Sequence, residues 1–170
     1  MPERIMKMQA SEVLGRLVPL LGRPVRRGGA EGVANIGREW GVRFPSDFIE
    51  VAGAYGNTMI GGFIFLAGAS SICPYAEEMG EAMDENTTVP CAVLPAPGGS
   101  LLWGNTIEGD QLFLRPKGDG RWTVSAFRRN HHDWLDTTHE FGEWFIGVLS
   151  GELETSWMPE WPPLPLDIEM

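Results

Sequence analysis

A chain of 170 residues falls in the roughly 100–200 residues of one domain and is long enough to bury a core. With 43% hydrophobic residues, 21% charged residues and seven tryptophans, the composition excludes a disordered polymer. Thirteen Lys and Arg against 23 Asp and Glu give a formal charge of -10, a field that repels phosphate backbones and argues against direct nucleic-acid binding, while steering a basic protein partner inward.

The only cysteines, Cys73 and Cys91, are far apart in the sequence, with no CxxC pair, and read as buried thiols rather than a disulfide. The segment MPERIMKMQASEVLGRL lacks the apolar run of a leader, and no stretch reaches the ~18 apolar residues of a membrane span, so a cytoplasmic location is expected.

In chain order, Ser11 is placed to cap a helix with Val13, Leu14, Leu17, Val18 and Leu21 on one face, its last turn weakened by Pro19. A second helix follows the arginine-rich loop GRPVRRGG, with Val33, Ile36 and Trp40 inward. In FPSDFIEVAGAYGNTMIGG, Pro45 opens a third helix, Asp47 suits its positive end, and Phe48, Ile49, Ala52 and Tyr55 form the stripe. Gly56 is expected in the left-handed conformation that ends it. From Met59 the pattern changes, and Ile60, Phe63, Ile64, Phe65 and Leu66 form a short apolar run, entered through Gly61-Gly62, that reads as a strand. The acidic stretch AGASSICPYAEEMGEAMDENTT reads as a surface excursion with at most a short helix.

Four further strands are expected, at Cys91–Leu94, Leu101–Trp103, Gln111–Arg115 and Trp122–Phe127, separated by turn sequences as in an antiparallel meander. Thr137 and Glu140 fit a capping box for a closing helix bearing Phe141, Trp144, Phe145, Val148 and Leu149, stopped by Gly151. The predicted class is α+β: N-terminal helices, an antiparallel sheet of about five strands and a C-terminal helix. Residues 1–154 form one domain, and 155–170 form a Pro- and Trp-rich acidic tail, extended and expected to lie against its own domain.

Three blocks together resemble the SMI1/KNR4 (SUKH) superfamily. They are FPSDFIEVAGAYGNTMIGGFIFL, LLWGNTIEGDQLFLRPKGDGRWTVSAF and EFGEWFIGVLSGEL, which arrive in that family's order and cover about Val33 to Gly151. Phe44 stands where the family usually has Leu, Tyr55-Gly56-Asn57 replaces its commoner turn, and the first helix and the tail are extensions. The resemblance implies a non-enzymatic binding module without a cofactor, typically a bacterial immunity protein that neutralises a polymorphic toxin, often a nuclease. The alternatives are a regulatory or scaffold module unrelated to toxins and, more distantly, a metal-assisted hydrolase.

Chemistry-bearing residues are few. His131, His132, Asp133 and His139 are metal-ligand types without a carrier spacing such as HExxH. No phosphate loop or nucleophile elbow is present, and Glu108 and Asp110 read as turn chemistry around Gly109 rather than an acid/base pair. Trp40, Trp122 and Trp144 follow core periodicity; Trp103 and Trp134, at turn edges, are the tryptophans expected to be exposed contacts. The acidic run Glu77, Glu78, Glu81, Asp84 and Glu85 is an ordinary solvated face or, in an immunity protein, the place where a basic toxin would dock.

Overall fold

A computed structural model describes residues 9–170; the first eight, which carry part of the leader argument, lie outside the described residues. Three helices come first: α1 (Ala10–Leu21), α2 (Gly29–Glu39) and α3 (Ser46–Tyr55). The short strands β1 (Thr58–Ile60) and β2 (Ile64–Leu66) form a hairpin, followed by α4 (Ile72–Glu85). The meander β3 (Leu101–Thr106), β4 (Gln111–Pro116), β5 (Trp122–Arg128) and β6 (Asp133–Glu140) leads into α5 (Phe141–Ser150), and β7 (Ile168–Glu169) closes the chain. The pairings among these seven strands are all antiparallel, in the order β6-β5-β4-β3-β2-β1-β7. The α+β class is as expected, with seven strands among the described residues where about five were anticipated.

Helices cover both faces. Phe44 packs edge-on against Phe48 and Trp122, Phe48 meets Phe141, and Trp103 meets Phe141, Trp144 and Phe145, which fixes α3 and α5 on one face. On the other face, cross-strand partners place Gln111, Phe127 and Trp134 in one row and Phe113, Ser125 and Asp136 in the next. The Tyr75 hydroxyl hydrogen-bonds Gln111 and the Gly104 carbonyl, so α4 lies on this second face.

Several expectations are corrected by tertiary contacts. Ser11 sits inside α1, whose N-cap is Gln9, and α1 continues past Pro19 because Leu20 and Leu21 are buried beyond it. Gly56 is extended, at φ -66°, and it is Asn57 that is left-handed, at φ 62°. Glycine is required at 56 for space: a Cβ there would lie 2.2 Å from the Ala52 carbonyl oxygen and 2.6 Å from Gly68 Cα. Asn57 Oδ1 then accepts from Gly68 N–H (3.0 Å) and from the Ser71 hydroxyl, tying the corner to the start of α4.

The expected capping box is absent. Thr137 belongs to β6, where its hydroxyl donates to the Val124 carbonyl (2.7 Å). The amide of Gly142 in the first turn of α5 donates instead to Asp47 Oδ2 at 2.8 Å, a carboxylate supplied by α3. Cys91–Leu94 makes only an isolated bridge, Val93 to Ser100, since prolines at 90 and 95 deny it a ladder. The acidic excursion is the 14-residue helix α4, and the segment ahead of α5, where no strand was expected, is β6.

The tail lies on the domain. Trp161 donates its indole N–H to the Val148 carbonyl (2.9 Å), Trp157 sits by Trp144, Leu166 is buried, and β7 pairs with β1.

Candidate protein-interaction face

Helix α4 forms because Ile72, Tyr75, Ala76 and Met83 fall on one buried stripe. Pro74 is tolerated as its third residue, where a missing amide costs no intrahelical bond. The opposite side is solvent-facing and carries Glu77, Glu78, Glu81, Asp84 and Glu85, all exposed. Among the described residues none of the five is in an ion pair.

This charge pattern runs against what the helix needs. Its first turn has no acidic residue and its last turn no basic one, while Asp84 and Glu85 sit at the negative end of the dipole. Glu77 with Glu81, and Glu81 with Glu85, are like-charge pairs four residues apart, each costing about 0.2–0.5 kcal/mol.

Trp134 lies on the same sheet face, on edge strand β6. It is half-buried, its ring 4.9 Å from Phe113, and its indole N–H donates to Asp136 Oδ1 at 3.0 Å. Asp136 also accepts from Ser125 (2.6 Å) and pairs with Arg115 at 3.2 Å, whose guanidinium carbon is 6.0 Å from the Trp134 ring centre. Burial works against the Asp136 carboxylate, but the bonds from Ser125 and Trp134 and the charge of Arg115 outweigh it and hold its pKa below the usual value.

The Cys91 thiol feels charges from both groups. Burial pushes its thiol pKa up; contact with Ser100 and the charge of Arg115 oppose this, and Asp136 and Asp84 add to it. Asp84 and Asp136, distant in sequence, thus both act on this one thiol. Trp103 does not belong to it. It is 0% exposed, beneath α5. The strand β3 runs on to Thr106, pairing with β2, so Trp103 is a mid-strand residue rather than a turn edge.

The remaining candidates are dispersed. His131 and His132 occupy the β5–β6 turn, whereas His139 sits in β6 with Nδ1 3.1 Å from Glu143. Among the described residues no three His, Cys, Asp or Glu side chains gather as metal ligands. Asp110 is buried in its turn, accepting from the Thr106 hydroxyl (2.8 Å) and the Arg129 amide (3.2 Å). Glu108 accepts from Asn130 at 3.1 Å. Both cysteines are free thiols, half-buried. No described helix is long and apolar enough to cross a membrane.

Fold and face together define an α+β protein presenting a carboxylate-lined helix beside an aromatic and arginine cluster. Comparisons of the chain with protein-family models, curated proteins and solved structures gave no match.

Proposed function

We propose that the chain is a non-enzymatic, cytoplasmic protein-binding module, an immunity protein that neutralises a cognate toxin, with nucleases the favoured class. The observation that supports this reading is the charge pattern of α4: five exposed carboxylates without a cation partner among the described residues, arranged against the helix's own dipole. Local stability gives no reason for that arrangement, whereas capture of a basic surface does. A nuclease active face is such a surface, because it must attract phosphate. The Trp134 cluster supplies a rigid aromatic contact next to the acidic helix, the combination from which interface anchors are built. Binding requires neither turnover nor a cofactor.

The test is co-expression with a candidate toxin taken from the adjacent genes, and measurement of the complex at low salt. Cells are expected to survive only when the chain is present. Reversing Glu77, Glu78 and Glu81 to Lys should slow association by about tenfold or more, an effect that fades as salt rises. Equal killing with and without the chain, together with no complex at low salt, ends the immunity reading. An association rate indifferent to the three reversals removes α4 from the interface.

A further inference from the structure

Helices α2 and α3 meet backbone to backbone where the start of one crosses the end of the other: a Cβ on Gly29 would lie 2.4 Å from the Gly53 carbonyl oxygen. At its other end α2 stops in a reversal set by Gly41, at φ 74°, with Gly41 N–H bonded to the Arg38 carbonyl (3.1 Å) and Val42 N–H to the Gly37 carbonyl (2.9 Å). The connection contributes Val42, Phe44 and Pro45 to a groove of about 770 Å³, whose sides are Ala34 and Arg38 of α2 and Ile49 of α3. That volume falls within the roughly 300–1,000 Å³ of small-ligand sites.

The groove is aliphatic, with charge of one sign. Ile49, placed by its spacing in the stripe of α3, is only half-buried, as are Ala34, Val42 and Pro45, so branched apolar surface stays open here. The one ring beneath them, Phe44, is 2% exposed. No carboxylate lines the groove, in a chain that has 23, and its charged lining residues are Arg38 and Arg43. Arg38 bridges Glu31 at 2.7 Å and bonds Asn35, an exposed pair of the kind worth little. Arg43 is exposed and has no ion-pair partner among the described residues. Nearby acids are engaged elsewhere or outside the lining. Asp47 accepts from the amides of Phe48 (2.7 Å) and Gly142 (2.8 Å), Glu39 acts on Cys73, Asp119 holds Arg121 at 2.9 Å, and Glu50 is not in the lining.

We propose that this groove binds a medium-chain fatty acid, its acyl chain against Val42, Pro45 and Ile49 and its carboxylate on the Arg43 guanidinium, with Arg38 alongside. The charge complementarity is specific: a guanidinium offers two parallel donors that match a carboxylate, and one unmatched cation balances one negative charge rather than a phosphate dianion. An acyl chain suits these walls better than a flat ring, because no aromatic face is exposed for stacking. The groove belongs to the helical layer opposite α4, so this second site does not depend on toxin capture.

The experiment titrates the full-length, 15N-labelled protein with octanoate and, in parallel, with octanamide, its neutral isostere, and acetate, which lacks the chain. Saturable shifts are expected at the amides of Gly41, Ile49 and Gly120, with a Kd for octanoate of about 1–10 mM. Octanamide should bind at least about fivefold more weakly, and acetate should not saturate in the same range. Arg43→Glu should weaken octanoate by about fivefold or more, and Ala34→Leu, which fills the groove, by about threefold or more. Because Arg43 is exposed and unpaired, its variant should keep the rest of the amide spectrum. Equal binding of octanoate and either control, absence of saturable shifts, or indifference to Arg43→Glu overturns the proposal. Shifts at the same amides with the blocked peptide Ac-Leu-Glu-Leu-amide but none with octanoate would assign the groove to an acidic segment of a partner protein, and overturn it equally.

Discussion

Replacing Trp161 with Ala tests whether the tail is part of the cooperative fold. Trp161 is half-buried, its ring packs edge-on to Phe63 at 6.2 Å, and its indole N–H bonds the Val148 carbonyl at 2.9 Å. A tryptophan side chain buries about 150–250 Å² when enclosed; half of that at about 25 cal/mol per Å² is about 2–3 kcal/mol. The hydrogen bond adds about 1 kcal/mol. Against this, the alanine chain regains rotamer and backbone freedom, so a net loss of about 2–3 kcal/mol is expected. For a domain of this size that corresponds to a fall of about 4–12 °C in melting temperature. Thermal unfolding followed by circular dichroism gives the shift, and a Glu-specific protease acting at Glu152, Glu154 and Glu160 reports tail opening. Should the midpoint stay within about 2 °C while cleavage of the tail accelerates, the tail opens as an independent unit and the reasoning is wrong.

Three further outcomes follow from packing and charge. Gly53→Ala should destabilise the fold by about 2–3 kcal/mol in urea unfolding, because a Cβ there would sit 2.3 Å from Ala30 N where α3 crosses the start of α2. Thr123→Val is expected to stabilise by about 1 kcal/mol, since the Thr123 hydroxyl is buried without a partner among the described residues; a loss would mean that the hydroxyl is satisfied. The lowered pKa of Asp136 in the folded protein means that its contribution is present above the unfolded value of about 4 and is lost as pH falls through the folded value. Chemical denaturation between about pH 5 and pH 2 should therefore show a steeper acid loss in the native chain than in Asp136→Asn.

Elements whose periodicity was uninterrupted were legible. Phe48, Ala52 and Tyr55, then Phe141, Trp144, Phe145, Val148 and Leu149, mark α3 and α5 by helical spacing, and all are buried. Gly151 ends α5 in the left-handed conformation, at φ 82°. Helix α4 was obscured because Pro74, Gly80 and the five acids dilute its stripe. Strand β6 was hidden because Asp133–Glu140 is mostly polar; pairing with β5, rather than any alternation of its own, makes it a strand. The candidate site was half visible. Composition marked the acidic residues and Trp134, but their placement on one sheet face depends on the register of β4, β5 and β6.

By itself the sequence determined the α+β class, the helical stripes, the turn positions and the negative field, because these depend on local spacing, glycine and proline chemistry and summed charge. Only the tertiary structure decided which surface those charges share. It buried Trp103, sent Asp47 to cap α5, folded the tail over Trp144 and brought Asp84 and Asp136 within electrostatic reach of the one thiol of Cys91. The physical reason is common to all four: each depends on a partner distant in sequence, whose position is set by strand register and by the packing of helices on the sheet.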